Sequence, residues 1–309
     1  MLPRKEAPTL NLNHSYVPIF GHQCFFPPSP GMGASYYTRV VGSIATVVTV
    51  VAVTHLGVGE FDFSKFDGGP LPRTYNLSGS IYYAPKPNAW NKRQVVFELL
   101  EESHYWPRAA RNKKRMTIFE PVIHSTDEDR VGRLGDGGKW VAHLKSLDKR
   151  PCVVYSFGSN GDTSFEEDVD FLTQKRCEIH TFDPDPRFSR IWRGSPSNVH
   201  YHSWAIDTGE YSLRNIAYSL GHIKSGIDVL KIDIEGSEYR VLHQAVGTVP
   251  IGQLLVEAHE IGRSDAWRTF ELIKMLERNG LYHFHSEVNP YDAKACKELS
   301  FLNVTYQFH

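Results

Sequence analysis

Cysteine is scarce in this chain of 309 residues, with only Cys24, Cys152, Cys177 and Cys296. No two of them stand in a C-x-x-C or zinc-type spacing, and four thiols are too few for a disulfide scaffold. Two fall in apolar runs that read as core strands, so buried free thiols are the expected state. Excess charge is also missing. Lysine and arginine number 34 against 35 acids, and the isoelectric point lies near 6.9, so no basic field points to an obligatory nucleic-acid partner. A complete G-x-G-x-x-G is absent as well. What remains is ordinary for a protein with a sizeable core: 41% apolar residues and 22% charged ones.

The first 75 residues differ from the rest. "HQCFFPPSPGMG" is rich in proline and glycine and is expected to be poorly structured. Val40 to Val58 then runs nineteen residues without a formal charge. A helix of roughly 20 residues spans a hydrocarbon core, so this stretch is long enough. Arg4, Lys5 and Arg39 precede it, and Glu60, Asp62 and Asp67 follow. That asymmetry orients the N-terminus to the cytosol and the remaining chain to a lumen. The expectation is a type II signal anchor at 40–58 in a membrane protein of the secretory pathway. The alternative is a buried Val/Thr-rich segment of a soluble cytoplasmic protein. Residues 76–150 read as a polar, helical extension, from the spacing of Val95, Val96, Leu99 and Leu100, leading into a domain over 151–309. The cluster Arg108, Arg111, Lys113, Lys114 and Arg115 reads as a solvated helix face.

From Pro151 the pattern becomes regular. The apolar runs "CVVYSF", "CEIHTF", "VHYHSWAI", "IDVLKIDI" and "QLLVEA" alternate with segments of helical periodicity. Such alternation predicts a parallel sheet with helices on both faces, and ligands then bind at the C-terminal strand ends. The first end is the turn Gly158-Ser159-Asn160-Gly161, where small residues let a ligand approach the backbone. The second carries Asp183, an acid spaced to accept ribose hydroxyls. The third carries Trp204, Ala205 and Ile206, placed to flank an adenine ring. Three such ends in register make the glycine turn a cofactor loop.

The fourth end decides the cofactor. "KIDIEGSE" spans Lys231 to Glu238, with "DPDP" at Asp183 to Pro186 and "EAH" at Glu257 to His259. With the turn "SFGSNGD", these segments resemble the FkbM-type branch of class I S-adenosylmethionine-dependent methyltransferases. The serine in that turn, with "GDGGKWV" upstream, is most similar to the eukaryotic methyltransferase-like proteins of that branch. The resemblance covers about residues 132–309. It implies a Rossmann-like sheet of order 3-2-1-4-5-7-6 with strand seven antiparallel, and S-adenosylmethionine as cofactor. By position, Phe157, Gly158, Ser159 and Asn160 line the methionine end, Asp183 holds the ribose, and Trp204, Ala205 and Ile206 border the adenine. One departure stands out: the family's acid two residues before the first glycine is Ser156 here.

Methyl transfer to a hydroxyl needs alignment and removal of a proton. Asp233 and His259 are the base candidates, and Glu257 would orient the histidine or join Asp233 in holding a cation. The bland alternatives are helix capping for Glu235 and Glu238 and ordinary packing for His283 and His285; no dedicated metal site is expected. The expected activity is O-methylation of a small-molecule or carbohydrate hydroxyl. The alternative is a catalytically inactive methyltransferase-fold binding or scaffold protein, motivated by Ser156. A nicotinamide-dependent dehydrogenase is disfavoured by the incomplete glycine turn.

Overall fold

The computed structural model describes residues 76–77, 81–91, 93–94, 120–149, 151–194, 198–259, 265–289 and 296–306, all within one unit, Val40–His309. The apolar run at 40–58, Cys24 and the basic cluster of residues 108–115 lie outside the described residues. Among those described, no helix is long and apolar enough to cross a membrane.

Three strands, β1 (Asn76–Leu77), β2 (Ile81–Pro85) and β3 (Ile123–Ser125), form a small sheet, and β4 (Glu128–Val131) pairs with β5 (Lys139–Ala142). The main sheet contains β6 (Cys152–Phe157), β7 (Cys177–Phe182), β8 (Val199–His202), β9 (Ile227–Ile232), β10 (Ile251–His259), β11 (Leu281–Val288) and β12 (Cys296–Asn303). Its order is β11-β12-β10-β9-β6-β7-β8, and β12 runs antiparallel to both of its neighbours. Counted from β6, this is 3-2-1-4-5-7-6 with strand seven reversed, the Rossmann-like class I methyltransferase order implied by the resemblance. Four helices connect the strands: α1 (Ser164–Leu172), α2 (Leu213–Ser219), α3 (Glu238–Ala245) and α4 (Asp265–Arg278).

Every residue of β9 and β10 is buried, as befits central parallel strands covered on both faces. Alternate side chains divide between two cores. On one face Tyr155, Phe157, Phe182, Leu230, Ile232 and Val256 pack against Leu213, Ile216, Leu242 and Phe270 of α2, α3 and α4. On the other, Val154, Ile179, Val229 and Leu255 meet Phe165 and Val169 of α1 and Val131 and Val141 of the β4–β5 hairpin. The period of two along each strand thus fixes which helix each residue meets.

Two expectations are corrected here. The described part of 76–150 holds more strand than helix: five short strands stand beside helical residues 87–91 and 93–94 and a 3-10 helix at Leu144–Lys149. Its strands are only two to five residues long, too short for a period to register above the surrounding polar sequence. They belong to the main body: the Val122 N–H donates to the His283 carbonyl at 2.9 Å, and Gln253 of β10 bonds both backbone groups of Ala142. Nor are Cys152 and Cys177 free thiols. They are a directly paired position of β6 and β7, with Cα atoms 4.4 Å apart, and they form a disulfide. Their adjacency follows from register, which the spacing of the two cysteines alone does not reveal. Cys296 is buried.

Candidate active site

The turn after β6 depends on glycine for a specific reason. Gly158 has φ +78°, and a Cβ there would lie 1.7 Å from the Asp233 carbonyl oxygen, so the ends of β6 and β9 can abut only over a bare backbone. Asn160 and Gly161 continue the left-handed run at φ +46° and +76°. Lys231 of β9 donates from its ammonium to the Gly158 carbonyl at 2.8 Å. Asp183, at the end of β7, is buried beside this turn. Its Oδ2 accepts from the Asn160 N–H at 2.9 Å and the Ser159 N–H at 3.2 Å, and its Oδ1 accepts from the Asp185 N–H at 3.0 Å. The acid expected to hold a ribose therefore also holds the loop.

The other expected cofactor residues divide. Phe157 is 1% exposed and its ring stacks on Phe182 at 4.3 Å, so it offers the site its carbonyl, which accepts from the Asp233 N–H, and not its side chain. Ile206 is likewise a core residue. Ala205 and Asn160 are exposed, Ser159 is buried, and Trp204 is half-buried between His202 and Tyr211, with centroids 4.6 and 5.6 Å away.

Asp233, Glu257 and His259 do come together, at the ends of β9 and β10. His259 Nε2 lies 3.9 Å from Asp233 Oδ1, 4.0 Å from Glu257 Oε1 and 3.6 Å from Glu235 Oε2. The residue that orients the histidine is Glu238, not Glu257. Its Oε1 accepts from the His259 backbone N–H at 2.7 Å and stands 3.3 Å from Nδ1, while its Oε2 caps the Gly236 N–H at 2.8 Å. Capping and orienting are thus one role. Glu257 instead accepts from Asn289 at 3.0 Å and faces Lys139.

Lys139 is the residue that sequence reasoning missed. It is 1% exposed, and its ammonium lies 2.8 Å from Glu298, 3.3 Å from Asp233 and 3.4 Å from Glu257. Burial opposes its charge, yet Glu298, Asp233 and Glu257 outweigh that and hold it well above the ordinary lysine range. Burial, resisted by Lys139 and reinforced by Glu257 and Asp233, pushes the Glu298 carboxyl up to about 8. For Asp233 burial works upward, but Lys139, Lys231 and His259 bring it down to about 2. His259 is lowered by burial and raised more strongly by Glu238, Asp233 and Glu257, reaching about 9. At neutral pH the mouth therefore pairs an ionised aspartate with an imidazolium. Its signal in the sequence was a lysine set directly before the apolar "WVA" of a short buried strand.

Donor atoms of Glu257, His259 and Cys296, and of Asp136, Glu257 and Glu298, lie within 4.8 Å of one another. The Lys139 ammonium already lies between Glu257 and Glu298, a cation among those carboxylates. The strand ends fit a nucleoside cofactor: the turn is kept free of side chains at Gly158 and Gly161, and Asp183 Oδ1 carries a single backbone bond. A groove of about 380 Å³ lined by Arg176, Glu178, Asp228 and Tyr306 lies at the opposite, N-terminal ends of the strands, away from this chemistry.

A methyltransferase-domain family model matches residues 87–303. The chain belongs to that family. The match begins well before residue 132, so β3, β4 and β5 lie within the family domain. Among curated relatives, probable methyltransferase-like protein 24 of Homo sapiens is 28% identical over 54% of this chain and 54% of its own length, and that of Rattus norvegicus 28% over 51% and 52%. The chain thus spans about half the length of the curated relatives it matches. Solved structures include the fibrillarin pre-rRNA processing protein of Methanococcus jannaschii, at 14% identity, TM-score 0.39 and coverage of 59% of this chain and 84% of that one. Aeropyrum pernix fibrillarin, solved with natively bound S-adenosyl-L-methionine, gives 16%, 0.36, 49% and 66%. Overlaps at that level add nothing to what the strand order already establishes.

Proposed function

We propose that the chain methylates a hydroxyl of a small-molecule or carbohydrate acceptor, within the FkbM-type branch of its family, using Asp233 and His259 to handle the acceptor's proton. The cofactor is S-adenosylmethionine, which supplies an electrophilic methyl on a sulfonium. The observation that carries the reading is the approach of His259 to Asp233 at 3.9 Å, on neighbouring strand ends beside the glycine turn. Asp233, ionised at neutral pH, accepts the acceptor's hydroxyl hydrogen bond. His259 takes the proton once it has released its own, and Glu238 keeps its ring in place. Asp183 holds the ribose, Ser159 and Asn160 line the methionine end, and Trp204 and Ala205 lie toward the adenine. The near-neutral net charge favours such an acceptor over nucleic acid.

Calorimetry with S-adenosylmethionine, S-adenosylhomocysteine and NAD, followed by a hydroxyl-acceptor screen, tests this. Tight binding of the first two and turnover with an acceptor support it; preference for NAD refutes the cofactor assignment. In active protein, His259→Ala lowers turnover by about 10²–10⁴-fold at nearly constant cofactor affinity, the usual contribution of a positioned base. The second reading, a binding or scaffold protein without turnover, is favoured by Ser156 and by the loop's hold on the Asp183 carboxylate. Cofactor binding with no turnover across a broad screen would support it.

We further propose a type II membrane topology through residues 40–58. The Cys152–Cys177 disulfide supports an oxidising compartment for the folded domain. Retention in the membrane pellet after carbonate washing and a glycan on Asn76, in the "NLS" sequon at β1, are the expected results. A soluble, unglycosylated chain would refute it.

A further inference from the structure

Away from the mouth, β7 turns Glu178 and His180 to the same face of the sheet, the face covered by α2, and His222 approaches them from the turn beyond that helix. His180 Nε2 lies 2.8 Å from Glu178 Oε1, and His222 Nε2 lies 3.6 Å from Glu178 Oε2. Two imidazoles therefore aim the same nitrogen at the two oxygens of one carboxylate, and a donor atom of each of the three residues lies within 4.8 Å of the others. We propose that Glu178, His180 and His222 bind a divalent transition metal, with zinc the ion best suited to the donors.

Three features support the site. A two-histidine, one-carboxylate set with a fourth position open to solvent matches zinc's preference for nitrogen and oxygen in tetrahedral geometry. The Glu178 side chain is 47% exposed and supplies that opening, while both imidazoles are almost wholly buried. Second, the far nitrogen of each ring is anchored: His222 Nδ1 to the Tyr155 hydroxyl at 2.9 Å, and His180 Nδ1 to His202 Nε2 at 2.9 Å. Such outer partners set the tautomer and aim of ligating histidines. Third, His180 packs against His200 and His202, with centroids 5.1 Å away in each case. That stack of rings holds the His180 imidazole in one orientation, with its Nε2 toward Glu178. Zinc–ligand bonds of about 2.0–2.1 Å set tetrahedral donors closer together than 4.8 Å, an adjustment open to the half-exposed Glu178 side chain. The ion would pin β7 to the segment following α2, independently of the chemistry at the strand ends.

Equilibrium dialysis of the full chain against Zn(II), with the visible spectrum of the Co(II) form, tests the proposal. The expected result is one bound equivalent and the strong ligand-field absorption of a four-coordinate Co(II) ion. Glu178→Gln, an exposed and conservative change, is expected to lower affinity at least tenfold, and His222→Gln to abolish binding. Tyr155→Phe should cost about 10–100-fold, as outer partners of metal-bound histidines do. His124→Gln, at an exposed histidine, should change nothing. Unfolding of each variant without metal identifies any that fail to fold, and Glu178→Gln then remains the deciding one. Absence of binding, affinity unchanged in folded Glu178→Gln, or loss of the ion only in Cys296→Ser, which would place it at the mouth, each overturns the proposal.

Discussion

His259 should make the stability of this protein fall as pH rises, contrary to the habit of a histidine buried alone. Its folded pKa of about 9 exceeds the ordinary 6.5, because Glu238, Asp233 and Glu257 outweigh the cost of burial. A pKa raised on folding contributes stability that is fully present below about 6.5 and is lost as pH climbs through about 9. At 1.36 kcal/mol per unit, the contribution is roughly 2–4 kcal/mol. Urea unfolding at pH 6, 7.5 and 9.5, compared between wild type and His259→Gln, measures it. The wild type should lose most of that amount across the window and His259→Gln much less. Glu298, pushed up to about 8, adds a slope of the same sign, so Glu298→Gln serves as the control that subtracts it. The same group governs catalysis. Only about 3% of His259 is neutral near pH 7.4, so with a working acceptor kcat/KM should rise nearly tenfold per pH unit up to about 9. A stability slope equal in wild type and His259→Gln, or a rate profile flat between pH 7 and 9, refutes the assignment.

Asp183→Ala should weaken S-adenosylmethionine binding by more than about 1 kcal/mol in calorimetry and lower stability by about 1–3 kcal/mol, since it frees three backbone donors; an unchanged dissociation constant in folded protein removes Asp183 from the site. Gly158→Ala places a Cβ against the Asp233 carbonyl at a left-handed φ; thermal unfolding should show a loss of at least about 2 kcal/mol, and a smaller loss would mean the strand ends part easily. Lys139→Met leaves Asp233, Glu257 and Glu298 without their shared cation and should cost about 3–5 kcal/mol at pH 7.5; a loss under about 1 kcal/mol would mean the carboxylates share a proton instead.

The parts of this molecule that could be read from sequence are those written in contiguous residues. The runs "IDVLKIDI" and "QLLVEA" announce β9 and β10 because strands buried on both faces must be apolar throughout. Gly158 and Asp183 announce the strand ends because their roles are local to a turn. Lys139 joins carboxylates 94, 118 and 159 residues distant, and nothing but the crossing of the β4–β5 hairpin over β10 and β12 brings them together. Glu238 was legible as a cap, yet its hold on His259 needed the end of β10 to lie over the start of α3. Glu178 and His180 stood in view in "CEIHTF", but His222 completes the group through tertiary packing alone.

Ser156 becomes intelligible on the same terms. Its side chain is fully buried on the α1 face of β6, and it faces Glu166, itself buried in the first turn of α1. Thr181 of β7 and Lys231 of β9 complete this enclosure. Neither carboxyl oxygen of Glu166 makes a hydrogen bond of normal geometry, yet the Ser156 and Thr181 hydroxyls and the Lys231 charge stand near enough to ease its ionisation, against a burial that raises its pKa. An acid at 156 would set a second carboxyl beside Glu166 in the same dry space, where two like charges repel strongly and only one Lys231 is at hand. A buried carboxyl on α1 thus stands beside Ser156, while Lys231 donates to the Gly158 carbonyl. For that reason Ser156 alone does not decide between an active enzyme and a silent fold, and the protonation of His259 weighs more heavily on that choice.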